Sequence, residues 1–401
     1  MKQWRVIRGG VTAPQGYLAA GVAAGIKKKG LDVAVLFSGR PASAAALFTT
    51  NQVQAAPVLL SKKHLKLANG RMRAVLVNSG CANACTGEKG VQDALISARS
   101  LASLLEIDAS QVTVASTGVI GEPLPLRRLL KGISAAVASL NSSGGDAAMR
   151  AIMTTDTREK TIALEGELGN RRIRIGGMAK GAGMIHPQLA TMLAVITTDV
   201  SLPPKPLDRM VRRVVDSTFN CLTVDGDTST NDMVLVMANG ASGCRLEAKS
   251  LPYFEEGLER VCEELAKMIA RDGEGATKFV EIAVHGAECF HDAKRVAKAI
   301  AHSALVKTAL HGEEPNWGRI VCAAGYSGVP FDPNKIELML CGIPIFKYGV
   351  PTLTSVARAA KALKSNDIRI ELHLGEGHHS ARVWTCDLSR KYVEINSSYI
   401  S

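Results

Sequence analysis

Apolar and polar positions along this chain follow two periods. Apolar and β-branched runs bounded by Gly, Asp or Asn predict strands at Val33–Ser38, Val112–Ala115, Thr161–Leu168, Arg172–Ile175, Met192–Thr198, Met233–Ala238 and Phe279–His285. Apolar residues three and four apart, with charges opposite, predict helices at Asp93–Glu106, Pro125–Leu140, Pro206–Phe219, Tyr253–Arg271, His291–Leu310 and Ser355–Lys364. The Gly169-Asn170 pair between two strands reads as a hairpin turn. Antiparallel pairs interleaved with helices predict a layered α/β fold with a mixed sheet, rather than a doubly wound parallel one. No repeat of 20 to 50 residues and no low-complexity linker marks a domain boundary.

Composition narrows the class. The 401 residues are 46% hydrophobic and 21% charged, values of a folded globular chain and not of a disordered one. With 48 Lys and Arg against 37 Asp and Glu the formal charge is +11, yet the chain holds only 8 Phe, 3 Trp and 6 Tyr. Basic runs at Lys27–Lys29, Lys62–Lys66 and Arg171–Arg174 are short and lack the aromatic stacking platforms of single-strand binders, so no nucleic-acid partner is expected. The charge reads as solubility and a mild pull on acidic small molecules. No apolar run reaches the ~18 residues of a membrane span, and the opening Met-Lys-Gln-Trp-Arg-Val-Ile-Arg has no apolar stretch behind it. A cytosolic protein with no membrane partner is expected. The nine cysteines suit reduced thiols; Cys81 and Cys85 lack a second Cys or His pair at zinc spacing, so no metal is expected.

One stretch departs from ordinary patterning. Gly176, Gly177, Gly181 and Gly183 crowd the chain that leads through Lys180, His186 and Ala190 into an apolar run from Thr191. A hydroxyl thus sits at the seam between a permissive loop and a strand. Spacing alone leaves three readings open: a structural loop with a satisfied Thr191, a catalytic threonine, or a phosphate loop. The last lacks both Gly-x-Gly-x-x-Gly after a strand and a following Gly-Lys-Ser/Thr.

The stretch Met178-Ala-Lys-Gly-Ala-Gly-Met-Ile185 with Leu189-Ala-Thr-Met-Leu193 resembles the self-cleavage segment of the ornithine acetyltransferase family, bifunctional glutamate N-acetyltransferases of the cyclic arginine pathway. Further shared motifs span nearly the whole length: Asn78–Gly87, Ser116–Gly121, Met153–Thr157, Val224–Asp232, Arg271–Lys278 and Pro315–Arg319. Six motifs in the same order carry far more weight than one glycine loop.

This resemblance implies a layered mixed-sheet sandwich of the self-processing ornithine acetyltransferase and β-aminopeptidase type. It implies a chain that cuts its own Ala190–Thr191 bond, leaving an alpha chain 1–190 and a beta chain 191–401. The cut is an N-to-O acyl shift, in which the Thr191 hydroxyl attacks the Ala190 carbonyl and water opens the ester. The new α-amino group, with an ordinary pKa of about 8, can then serve as base for the hydroxyl beside it. Acetyl would pass from N-acetyl-L-ornithine to Thr191 and on to L-glutamate without a cofactor, and acetyl-CoA stays open as a second donor. The resemblance assigns Thr117 and Gly118 to an oxyanion hole, and substrate contacts to Thr154, Lys180, Thr191, Glu274, Asn396 and the terminal Ser401. It also implies a heterotetramer of two alpha and two beta chains. Cys81 stands where relatives often carry Asn, and Ser401 replaces a usual threonine. His186 is read as structural or as positioning the cut, since a nucleophile with its own amine needs no imidazole. The alternative is a self-processing amidohydrolase or aminopeptidase, in which water takes the acyl group; those enzymes use serine where this chain has Thr191.

Overall fold

The computed structural model describes residues 3–186, 192–352 and 356–398. Among them, nine strands form the larger sheet: β1 (Arg5–Ile7), β2 (Tyr17–Val22), β3 (Val33–Phe48), β4 (Arg71–Cys81), β5 (Val112–Val119), β6 (Thr161–Leu168), β7 (Arg171–Lys180), β8 (Leu193–Thr198) and β9 (Met233–Ala238). Their order is β1-β6-β7-β8-β9-β3-β4-β5, with β2 beside β3. Neighbours pair antiparallel except β4 with β5 and β8 with β9, which are parallel, so the sheet is mixed as expected. A smaller sheet follows: β10 (Phe279–Ala287), β11 (Glu337–Leu340), β12 (Ile343–Lys347), β13 (Val350–Pro351), β14 (Asp367–His373) and β15 (His379–Cys386), in the order β13-β12-β11-β14-β10-β15. It too is mixed, with β10 parallel to β14 and antiparallel to β15.

The helices are α1 (Ala56–Leu67), α2 (Gly87–Leu105), α3 (Leu126–Ala138), α4 (Gly145–Ile152), α5 (Pro204–Ser217), α6 (Leu251–Arg271), α7 (Phe290–His302), α8 (Ala304–His311), α9 (Trp317–Gly325), α10 (Val356–Ala362) and α11 (Arg390–Ser398). The 21-residue α6 matters most for the site. It carries apolar residues on two sides, and it touches β6 and β7 of the larger sheet as well as β10 and β15 of the smaller one. Gly177 of β7 lets the helix come close, because a Cβ there would lie 2.8 Å from Leu265 Cδ1 and 3.0 Å from Val261 Cγ1. Burial of Val261, Leu265 and Ile269, at ~1.5–3 kcal/mol per side chain, pins the helix and hence the turn that follows its C-terminus. That turn is Asp272-Gly273-Glu274.

Several expectations change in detail: α2 starts at Gly87 rather than Asp93, β5 runs on to Val119 and β7 to Lys180. The strand expected at Val33–Ser38 does not stop there: β3 continues to Phe48 through a register shift between Phe37 and Ala42. The Ser38 hydroxyl donates to the Arg40 carbonyl at 2.7 Å inside this irregular step, so Gly39-Arg40-Pro41 bends the strand instead of ending it. The single helix expected over His291–Leu310 is two, α7 and α8. Ser303 takes an extended conformation (φ −62°, ψ 110°) and its hydroxyl caps Val306 N–H at 3.3 Å. The hairpin at Gly169-Asn170 is present, joining β6 to β7 with Gly169 at φ +59°.

Candidate active site

β7 and β8 form an antiparallel pair in which Lys180 faces Leu193, so Gly176 and Gly177, expected in a loop, are paired residues of β7, and only the part from Gly181 onward belongs to the hairpin connection. Ala190 and Thr191 lie outside the described residues, as does Ser401. At the mouth of this hairpin opens a cleft where Thr117, Gly118, Thr154, Lys180, Glu274 and Asn396 meet. These six were singled out from stretches as far apart as residues 117 and 396. The cleft also takes in Met192 and Asp232.

Thr117 and Gly118 close the end of β5, alongside Ser79 and Gly80 of β4. Gly118 has φ +127°, and a Cβ there would fall 2.4 Å from the Gly80 carbonyl carbon, so only glycine lets the two strand ends meet. The Lys180 ammonium donates to the Thr117 hydroxyl oxygen at 3.2 Å, which leaves the Thr117 O–H free to point elsewhere. Lys180 is 9% exposed. Burial lowers its pKa, while the acidic side chains of Asp156, Asp232 and Glu274 act to raise it.

Glu274 sits opposite. Its main-chain N–H donates to the Ala182 carbonyl at 2.9 Å, and the Asn396 side-chain amide donates to its Oε2 at 2.8 Å. Gly183 makes room for the carboxylate, since a Cβ there would stand 2.4 Å from Glu274 Cδ. A cation and an anion are thereby presented across one cleft, matched to a molecule carrying both an acid and an amine.

Behind the cleft lies a cluster that sequence reading did not single out. Lys160 is 1% exposed and donates to Asp156 Oδ1 at 2.7 Å and Asp272 Oδ2 at 2.5 Å. Asp156 also accepts from Gly181 N–H at 2.7 Å and Thr154 N–H at 3.0 Å, and Asp272 from Thr157 N–H at 3.0 Å. Burial works to raise the Asp156 pKa, but the charges of Lys180 and Lys160 and the bonds from Lys160 and Gly181 outweigh it and hold it at about 2. One ion cluster thus fixes the Thr154 loop, the Lys180–Gly181 turn and the Glu274 turn relative to each other. The signal was present, because Asp156 and Asp272 fall inside the Met153–Thr157 and Arg271–Lys278 motifs; what it lacked was the buried lysine between them.

The Val224–Asp232 motif has an equally definite place. Asp225 accepts from Met184 N–H at 2.6 Å and Ile185 N–H at 2.8 Å, and the Thr228 hydroxyl donates to the His186 carbonyl at 3.0 Å. This motif therefore holds the chain just ahead of residues 187–191. His186 itself is not part of the cleft lining. Its Nδ1 meets His302 Nε2 at 2.7 Å, and burial lowers the pKa values of His186 to about 3 and His302 to about 4. Cys81 is a buried thiol whose Sγ approaches the Glu122 carbonyl at 3.4 Å, away from the cleft lining. No helix among the described residues is long and apolar enough to cross a membrane.

A mixed two-sheet scaffold presents a hydroxyl–amide corner and opposed charges in one cleft, the layout of an enzyme site for small polar molecules. Comparison with known proteins makes the class specific. The ArgJ family model matches residues 18–401. An arginine biosynthesis bifunctional protein of Parasynechococcus marenigrum is 48% identical over 397 residues, covering 99% of this chain and 96% of that protein. Its counterpart from Symbiobacterium thermophilum is 48% identical, covering 98% and 99%. Among solved structures, the ornithine acetyltransferase of Mycobacterium tuberculosis complexed with ornithine is 47% identical, covering 47% of this chain and 100% of that one, with a TM-score of 0.44. The chain belongs to the ArgJ family, the bifunctional proteins of arginine biosynthesis.

Proposed function

We propose that this chain, an acyltransferase of arginine biosynthesis, moves the acetyl group of N-acetylornithine to glutamate through Thr191. The backbone breaks before Thr191 by an N-to-O shift, giving chains 1–190 and 191–401, and the freed α-amino group draws the proton from the Thr191 hydroxyl. That hydroxyl attacks the acetyl carbonyl, ornithine departs, and the glutamate amine takes the acetyl from the threonine ester. The Thr117 hydroxyl and Gly118 N–H hold the oxyanion of each tetrahedral intermediate, a preorganised pair in which each donor is worth ~2.7–4 kcal/mol of barrier. Lys180 receives the substrate carboxylate and Glu274, steadied by Asn396, the ornithine ammonium; Thr154 and Ser401 complete the pocket. The chain's second activity is acetylation of glutamate from acetyl-CoA. The working enzyme is a cytosolic heterotetramer, two copies of each fragment.

The observation that carries this reading is the meeting of Thr117, Gly118, Thr154, Lys180, Glu274 and Asn396 around one cleft at the mouth of the hairpin whose loop contains Ala190–Thr191. Incubation with N-acetylornithine and glutamate tests it: N-acetylglutamate and ornithine are expected in equal amounts. Release of free acetate with no N-acetylglutamate would instead establish the hydrolase alternative.

A further inference from the structure

One carboxyl of the cleft has no task in the chemistry above. Asp232, immediately before β9, is 2% exposed and lines the cleft together with Thr117, Lys180 and Glu274. Its Oδ2 has no hydrogen-bond partner among the described residues, although buried polar atoms are ordinarily paired. Of the ionisable groups lining the cleft, Lys180 is engaged with Thr117 and Glu274 with Asn396, which leaves Asp232 with an oxygen to spare. Burial pushes its pKa well above the carboxylate range, against the hydroxyls of Ser229 and Thr49 and the charge of Lys180, which favours the protonated form.

The main chain around Asp232 is tied to both sides of the reaction centre. Its carbonyl accepts from Thr49 N–H at 3.1 Å. The neighbouring Asn231 amide donates to the Ala82 carbonyl at 2.6 Å and to the Ser116 carbonyl at 2.9 Å, one residue before Thr117. On the other side, Met233 N–H donates to the Met192 carbonyl at 2.8 Å. Asp232 is thus clamped between the proposed oxyanion corner and the start of β8.

We infer that Asp232 is the proton store of acyl transfer, giving a proton to the departing amine and recovering one from the arriving amine; the inference rests on the acetyl-transfer reading above. As the C–N bond of the tetrahedral intermediate breaks, the Asp232 O–H protonates the leaving nitrogen. The proton of the nucleophilic hydroxyl has meanwhile gone to the α-amino base, so the acyl-enzyme carries a carboxylate at Asp232 and an ammonium on that base. When glutamate's neutral amine forms the new C–N bond, its surplus proton passes to the Asp232 carboxylate. The C–O ester bond then breaks, the ammonium returns its proton to the hydroxyl oxygen, and the starting state is restored.

The test is Asp232→Asn in the full chain, an isosteric change that buries no new charge, with thermal unfolding and fragment sizes measured beside kinetics. With N-acetylornithine and glutamate, kcat is expected to fall by about 10²–10⁴-fold with KM nearly unchanged, the range for loss of a general acid. The acylation burst with p-nitrophenyl acetate, whose phenolate leaves without a proton, is expected at the wild-type rate. A variant equally slow with both donors, one as fast as wild type with N-acetylornithine, or one that fails to fold or stays uncut where the wild type is cut overturns the inference. Failure of the acetyl-transfer reading itself would be seen separately, in a wild-type enzyme that gives no N-acetylglutamate.

Discussion

At the residue scale, the two kinds of ion pair in this molecule invite different expectations. Lys160 with Asp156 and Asp272 is almost wholly removed from water, whereas Arg212 with Asp208, at 2.9 Å, lies on the surface. Removing one partner of a buried cluster strands a charge, so Asp156→Ala is expected to lower the unfolding free energy by about 3 kcal/mol, while Asp208→Ala changes it by less than about 1 kcal/mol. Denaturant titration of the two variants checks the contrast. The sign with pH follows from the low Asp156 pKa of about 2 against an ordinary 3.8: its stabilisation is present above 3.8 and disappears as pH falls through 2. Thr117, Gly118, Lys180 and Glu274 were legible because each sits at or beside a glycine of a turn, whereas Thr154 and Asn396, in stretches without glycine, were legible only through the family resemblance. The Asp156–Lys160–Asp272 support and the orphaned Asp232 oxygen were not, because a one-dimensional pattern does not say which charges share a buried volume.

At the scale of elements, the sequence was readable where one face of a segment is buried and the other wet. β6 and β9 match their predicted limits, and α3 and α6 lie within two residues of theirs. In the long, Ala-rich β3, Gly39 and Pro41 look like a stop, and pairing with both β4 and β9 overrides that local signal. Short strands such as β11 to β13 carry too few residues for a period to show. The meeting of β4 and β5 is the most exacting contact at this scale. Gly118→Ala places a methyl 2.4 Å from Gly80 and forces a φ of +127° on a residue that avoids it. The expected result is a folded chain whose kcat drops by about 10²-fold or more, since the displaced amide belongs to the proposed oxyanion corner; steady-state kinetics beside circular dichroism would show it.

At the scale of the whole molecule, the β7–β8 hairpin lies within the larger sheet, and the part of its connection ahead of residues 187–191 is held from both sides. His186 and His302 form one of these ties, with pKa values of about 3 and about 4 against an ordinary 6.5. Both rings stay neutral in the fold while the unfolded chain takes up protons below pH 6.5, so stability is expected to fall from pH 6.5 towards 4. In a His186→Gln/His302→Gln variant this part of the pH dependence should vanish, as thermal unfolding at stepped pH would show, with acetyl transfer largely kept. The central claim, however, concerns covalent continuity, since one folded body would be made of two polypeptides with a catalytic threonine at the new end. Intact mass spectrometry of the purified protein tests it most directly. Two species are expected, residues 1–190 and a fragment beginning Thr191-Met192-Leu193, and a Thr191→Ala chain should remain whole and inactive. A single unbroken chain of 401 residues that nevertheless transfers acetyl groups would contradict it.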